Sequence, residues 1–200
     1  MFEFAGYLLI DKEISMDTRE NIMHVAKEMV QSHGYNALSF REIAKAIGVK
    51  SASIHYHFPT KGHLGAALAA RYTEDAENFL GALQVEPAHL RETVKSYIAA
   101  FRAALLNDNR MCLCGIMVAE RDDLPDNVRV EVDRFTDVNV KWLEILLRNV
   151  HPQMPRKEAA SRALAIFSAI EGAQLIARGR GDVKVFDTVV AAYTDAGLLP

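Results

Sequence analysis

The sequence is short of the features that mark several protein classes. Its 200 residues include two cysteines, Cys112 and Cys114, too few and too close for a disulfide framework, and no Cys/His spacing fits a structural zinc site. A reducing cytoplasm is therefore the expected compartment. No Ser/His/acid or Cys/His/acid arrangement with a recognisable motif is present, which argues against an enzyme and implies neither metal nor cofactor. Residues 1–10 are partly apolar, but they include Glu3, lack a basic segment and are too short to cross a bilayer, so neither export nor a membrane role is expected. Internal repeats and low-complexity tracts are missing. So is an excess of positive charge: 23 Lys and Arg against 26 Asp and Glu leave a net −3, which excludes a chain coated in cations but not a local basic face.

What is present is an apolar half, enough for a sizeable core, and helical periodicity from end to end. The densest information lies between Ser39 and Lys61. Ser39 and Glu42 form a capping-box pattern. Ile43, Ala44 and Ile47 make one apolar face, and Gly48 can take the left-handed conformation that ends a helix and turns the chain. Ile54 and Phe58 then define the buried side of a second short helix, and at about 100° per residue Ala52, Ser53 and Tyr56 point away from it, with His55 at the edge. This is a helix-turn-helix. A plain helical hairpin in an all-α protein has the same pattern; a helix whose exposed face is short and hydrogen-bonding also fits a DNA major groove. Arg41, Lys45, Lys50 and Lys61 against the single acid Glu42 supply the local basic face, whereas 122–137 is mainly acidic.

The run from Arg19 to Leu64 resembles the N-terminal domain of the TetR family of transcriptional regulators. The resemblance is carried by Gly34-Tyr35, Ser39-Phe40-Arg41-Glu42-Ile43-Ala44, Gly48-Val49 and Tyr56-His57-Phe58-Pro59-Thr60-Lys61. It implies an all-α chain of about nine helices, with a helix-turn-helix domain over 17–64, an effector-binding and dimerisation domain over 65–200, and an arm before Asp17. It also implies DNA contacts: Thr18 and Arg19 at the start of helix 1, Ser39 and Arg41 on helix 2, and Lys50, Ser51, Ala52, Ser53, His55, Tyr56 and His57 on the reading helix. Thr60 and Lys61 with Tyr56 make a phosphate clamp, since the amides at a helix start favour an anion. Two positions depart from the pattern. Lys50 stands where a Ser or Thr is usual, which makes Ser51 the expected N-cap. His55 stands where an aromatic usually precedes the tyrosine.

Proline, glycine and Asn/Asp breaks divide the rest into helices over 17–33, 60–83, 88–106, 112–121, 126–150, 155–178 and 182–198. Helix 155–178 is small-sided through Ala159, Ala160, Ala163, Ala169, Gly172 and Ala173, and apolar around much of its circumference. With Phe186, Val189, Val190 and Tyr193 of the last helix, it is expected to form a two-fold dimer interface. Burial within one chain is the alternative. The resemblance further implies a small-molecule effector held by the C-terminal helices, with Phe101, Leu105, Met111, Met117, Phe135, Trp142 and Phe167 as walls and Gln174 as a polar contact. Residues of these types at helical spacing also build ordinary cores. Cys112 sits at a helix start, where a thiol pKa can fall, so a cysteine sensing electrophiles or oxidants is one reading, and an inert buried thiol the other. The expected function is a ligand-responsive repressor that binds a double-stranded palindromic operator as a homodimer. A small-molecule binder with altered DNA binding is the rival.

Overall fold

The computed structural model describes the backbone of residues 4–199 and the side chains of 18–199. Among the described residues there are nine α-helices and no strand: α1 (Phe4–His33), α2 (Phe40–Ile47), α3 (Ser51–His57), α4 (Lys61–Ala82), α5 (Leu90–Leu106), α6 (Leu113–Ala119), α7 (Asp126–Val150), α8 (Arg156–Arg180) and α9 (Val183–Asp195). Short 3-10 turns at Tyr35–Ala37, Pro87–His89 and Arg121–Asp123 link them. None of the helices is long and apolar enough to cross a membrane, and no group of three His, Cys, Asp or Glu could hold a metal ion among the described residues.

The first helix already includes Phe4, the first described residue, and so does not begin at Asp17. No proline lies between those positions, and Leu, Ile, Lys and Glu there favour continuation over a break. The arm expected over 1–16 falls on residues whose side chains lie outside the description. Farther along, Ile22, Met23, Ala26 and Val30 are buried and anchor α1 on the small N-terminal bundle, with Val25 and Met29 half-buried beside them.

The second helix is built as its sequence requires. The Ser39 side chain accepts from the Glu42 amide at 3.4 Å. Glu42 does not mirror this contact; its Oε1 lies 4.0 Å from Arg41 Nε. At the other end Gly48 is left-handed, φ 74°. The amides of Gly48 and Val49 both return to the Ala44 carbonyl, closing the helix and aiming α3 away from it.

The N-cap of α3 is Lys50, not Ser51, and its side chain makes no capping bond. The Gly48–Val49 turn sets where the helix begins. A lysine side chain has no acceptor, so the position is kept and the cap is lost. Thr60 does cap α4, accepting from the His63 amide at 3.2 Å, with its hydroxyl 2.8 Å from His63 Nδ1.

From there α4 runs out of the bundle and packs along α7, which packs on α8, and α8 on α9. One continuous buried cluster joins Ile22 of α1 to Phe186 of α9. One residue of the expected dimer face is corrected: Phe186 is sealed inside the chain, while Val189, Val190 and Tyr193 pack against the same core and keep part of their surface exposed. The apolar surface left bare is on α8. Leu164, Leu175 and Ile176 are each about half exposed, with Ala165, Ser168 and Gly172 exposed between them.

Candidate nucleic-acid interface and effector cavities

The two sides of α3 differ sharply. Ile54 and Phe58 are buried, while Lys50, Ser51, Ala52, His55 and Tyr56 are exposed and Ser53 and His57 are half-exposed. Tyr56 is 80 % exposed, unusual for so large a ring, and touches the edge of His57 at 5.1 Å. Burial, with Arg19 adding to it, lowers the pKa of His57. Arg41 is 91 % exposed, and Lys45 and Lys50 are exposed as well.

Other expected DNA residues are already engaged within the chain. Ring to ring, His55 lies 4.8 Å from Phe40, and its Nδ1 is 3.3 Å from the Pro59 carbonyl, a contact that uses the Nδ1–H tautomer. The Arg19 guanidinium sits 5.1 Å over the Phe58 ring and 3.5 Å from Glu20. Thr18 is half-buried. Lys61 turns away from the outer edge. Its ammonium donates to the Asn36 carbonyl at 3.0 Å and lies 4.6 Å over the Tyr35 ring. Burial pulls its pKa down, and Glu120 and Asp123 push it back up. The bare groups thus come together on α2 and α3, and Lys61 belongs to a junction with the C-terminal helices.

Sequence reasoning missed that junction. Gly34 adopts φ 87°, ψ 173°, a region essentially reserved for glycine. A side chain there would meet the Glu120 carboxylate at 2.6–2.8 Å. In the space glycine leaves, Glu120 accepts from the Tyr35 amide and, at 3.4 Å, from the Asn36 amide. Asp123 accepts from Asn36 Nδ2 at 2.7 Å, and Asn127 Nδ2 donates to the Gly62 carbonyl at 3.1 Å. In the sequence Glu120 is one acid of a mainly acidic stretch, and nothing distinguishes it.

The expected effector residues divide among several places. One cavity of about 180 Å³ lies between α1, α4, α5 and α7, with Phe101 and Phe135 in its wall beside Tyr72, Tyr97 and Asn139. A second, of about 350 Å³, lies between α6, α7 and α8, walled by Met111, Phe135 and Phe167 together with Cys114, Leu164 and Glu171. Trp142 lines neither; it stacks on Tyr97 at 5.0 Å and faces a surface groove with Ile145. Leu105 and Met117 are buried core. Gln174 is a buried brace, accepting from the Cys112 amide at 3.0 Å and donating to the Phe101 carbonyl at 2.7 Å.

Cys112 is not an activated thiol. Its Sγ accepts from the Gly115 amide at 3.4 Å, as a helix-start cap should, but the residue is 1 % exposed. Burial first, then the nearby Glu171, pushes its pKa well up, and the same two causes act on Cys114. Here desolvation outweighs the helix start. Cys114 faces the larger cavity; Cys112 packs behind it.

Comparison with known proteins agrees with this geometry. The model of the bacterial regulatory proteins, tetR family, matches residues 22–68, the stretch that holds α2 and α3. A transcriptional regulator of the TetR family from Agrobacterium tumefaciens superposes with a TM-score of 0.83 at 25% identity, covering 91% of this chain and 98% of that one. A TetR transcriptional regulator from Legionella pneumophila is 30% identical, with a TM-score of 0.76 over 88% of this chain and 95% of its own. The HTH-type transcriptional regulator AcrR of Shigella flexneri is 33% identical over 75 residues, 38% of this chain; that match spans about a third of the relative's length, 33%. Whole-length similarity in fold, a matching helix-turn-helix and the bare face of α3 lead to one assignment: the chain belongs to the TetR family of bacterial transcriptional regulators.

Proposed function

We propose that this regulator is a ligand-responsive repressor, a homodimer that holds a palindromic operator until a small molecule binds its C-terminal helices. The observation that carries this reading is the division of α3, with Ile54 and Phe58 sealed while Ser51, Ala52 and Tyr56 stand bare. Short polar groups on such a face can read base edges, and exposed Arg41, Lys45 and Lys50 can meet phosphates. We take 17–64 as the reading unit and 65–200 as the effector and dimerisation unit. The half-exposed Leu164, Leu175 and Ile176 on α8, with small Ser168 and Gly172 between them, suit close packing against a second copy. A two-fold axis there would set two α3 helices about 34–36 Å apart, one turn of DNA.

The route from ligand to operator runs through the junction. The larger cavity touches α6 at Gly115, Val118 and Ala119, and α6 ends at Glu120, whose carboxylate holds the amides after Gly34. A ligand that shifts α6 therefore acts on the corner from which α2 and α3 are hung. A coupling of ~1–3 kcal/mol would be enough to switch it.

The test is an electrophoretic shift of the purified protein on DNA from upstream of its own gene. The expected result is a specific shift that weakens steeply as salt rises, since phosphate contacts release counterions. In a selection on random DNA, Ser53→Ala should change sequence preference. No specific shift on any genomic fragment at low salt would favour the rival, a small-molecule binder that no longer reads DNA.

A further inference from the structure

The larger cavity contains a group with no structural task. Glu171 is the only charged residue in 163–177, a stretch of α8 otherwise made of small and apolar side chains and one glutamine. Its two carboxylate oxygens are out of solvent, and no N–H or O–H donor reaches either of them; the one donor beside them is the weak S–H of Cys112. Around it the cavity wall is Phe135, Phe167, Met111, Leu164 and Leu175. Gly115 faces it from α6, and any side chain there would collide with the carboxylate. The titratable groups nearby are Cys112 and Cys114 from α6, Tyr72 from α4 and Tyr97 from α5, with Glu131 of α7 acting on Cys114. None of these is a cation. Burial pushes the Glu171 pKa up to about 7, against a hydrogen bond from the Cys112 thiol that lowers it.

A buried carboxylate without donors is costly, and the cost remains unless something supplies them. The buried amides of this region are braced: Gln174 accepts from the Cys112 amide and donates to the Phe101 carbonyl, and Asn139 takes a bond from the Tyr97 hydroxyl at 3.1 Å and donates to the Phe135 carbonyl at 2.9 Å. A ligand ammonium would give Glu171 both charge and N–H donors, and the Phe135 and Phe167 rings favour a cation near their faces. We propose that the cavity between α6, α7 and α8 binds a small apolar amine in its protonated form, with Glu171 as its anion. This names the effector class and rests on the reading of the C-terminal helices as effector-binding. The mouth of the cavity lies on the α8 face assigned to dimerisation, so a second copy would roof it.

The experiment is calorimetric titration of the full chain, without DNA, using 3-phenylpropylamine and its neutral analogue 3-phenylpropan-1-ol. The amine should bind at least about tenfold more tightly than the alcohol at pH 8. Its affinity should fall about tenfold between pH 8 and pH 6, as Glu171 passes through a pKa of about 7 and gains the proton the ligand must displace. In Glu171→Gln the preference for the amine and its pH dependence should both vanish. Equal binding of amine and alcohol, a flat pH profile in the wild-type protein, or no binding of the amine at 10 mM would each overturn the proposal; the last is what a cavity filled by the partner copy would give. The wild-type pH profile decides even if the variant does not fold. Operator release is read separately: amine binding that leaves DNA affinity untouched keeps the site and removes the effector role.

Discussion

The reading head and the effector half mark their working residues in opposite ways. On α3 the residue that stands out is Tyr56, a large ring 80 % exposed with little to support. On α8 it is Glu171, an acid out of solvent with no N–H or O–H donor. A functional group in the first region is recognised by exposure beyond what folding needs. In the second it is recognised by burial without a partner. Both are departures from what stability alone would select, and each has its own thermodynamic signature.

The sharpest break in this contrast would come at the junction between the two regions. Gly34→Ala forces a side chain into a glycine-only conformation and against Glu120, so it should destabilise the fold by roughly 3 kcal/mol. Urea denaturation measures it, and a loss under about 1 kcal/mol would show that the junction is slack. Next, Glu171→Gln should stabilise the protein by on the order of 2 kcal/mol at pH 8. The sign follows from the raised folded pKa: the folded state binds more protons than the unfolded one between about 4.5 and 7, so wild-type stability falls as pH rises through that window and the full cost is present above it. Below about pH 4.5 the two proteins should melt together; a gain independent of pH would mean that ionisation is not its source. The smallest effect on the fold is expected at Tyr56→Ala, within about 0.5 kcal/mol of wild type, since the ring buries little. Binding to all DNA sequences should nonetheless weaken about tenfold, as for a lost backbone contact. A large change in stability together with unchanged DNA affinity would reverse the comparison.

The same contrast explains how much was legible in the sequence. Local signals did well because their physics is local. Ser39 caps, Gly48 turns, Thr60 caps again, and the Ile54/Phe58 spacing fixes which side of α3 is bare. The N-cap falls at Lys50 instead of the expected Ser51 because the turn before it, not the side chain, sets where α3 starts. The place of Cys112 at a helix start is a local fact, whereas its pKa follows from burial and from Glu171 on α8. Walls of the cavities could be drawn only from residue type, and types that line a cavity also fill a core: Leu105 and Met117 are packed away while Met111 and Phe135 face open space. Glu171 did carry a signal, a lone charge in an apolar stretch. For Glu120 there was none, since its meaning depends on Gly34, far away along the chain.

That pairing limits how the molecule could be taken apart and recombined. Gly34, Asn36 and Lys61 on one side are shaped to the acids Glu120 and Asp123 on the other. A chimera that grafts this reading head onto another effector half would leave the amides of Tyr35 and Asn36 without acceptors and the Lys61 ammonium without its counter-charges. Such a graft should fold and respond only when the acids at 120 and 123 travel with the head, so the unit of exchange extends past the helix-turn-helix to the end of α6 and the turn beyond it.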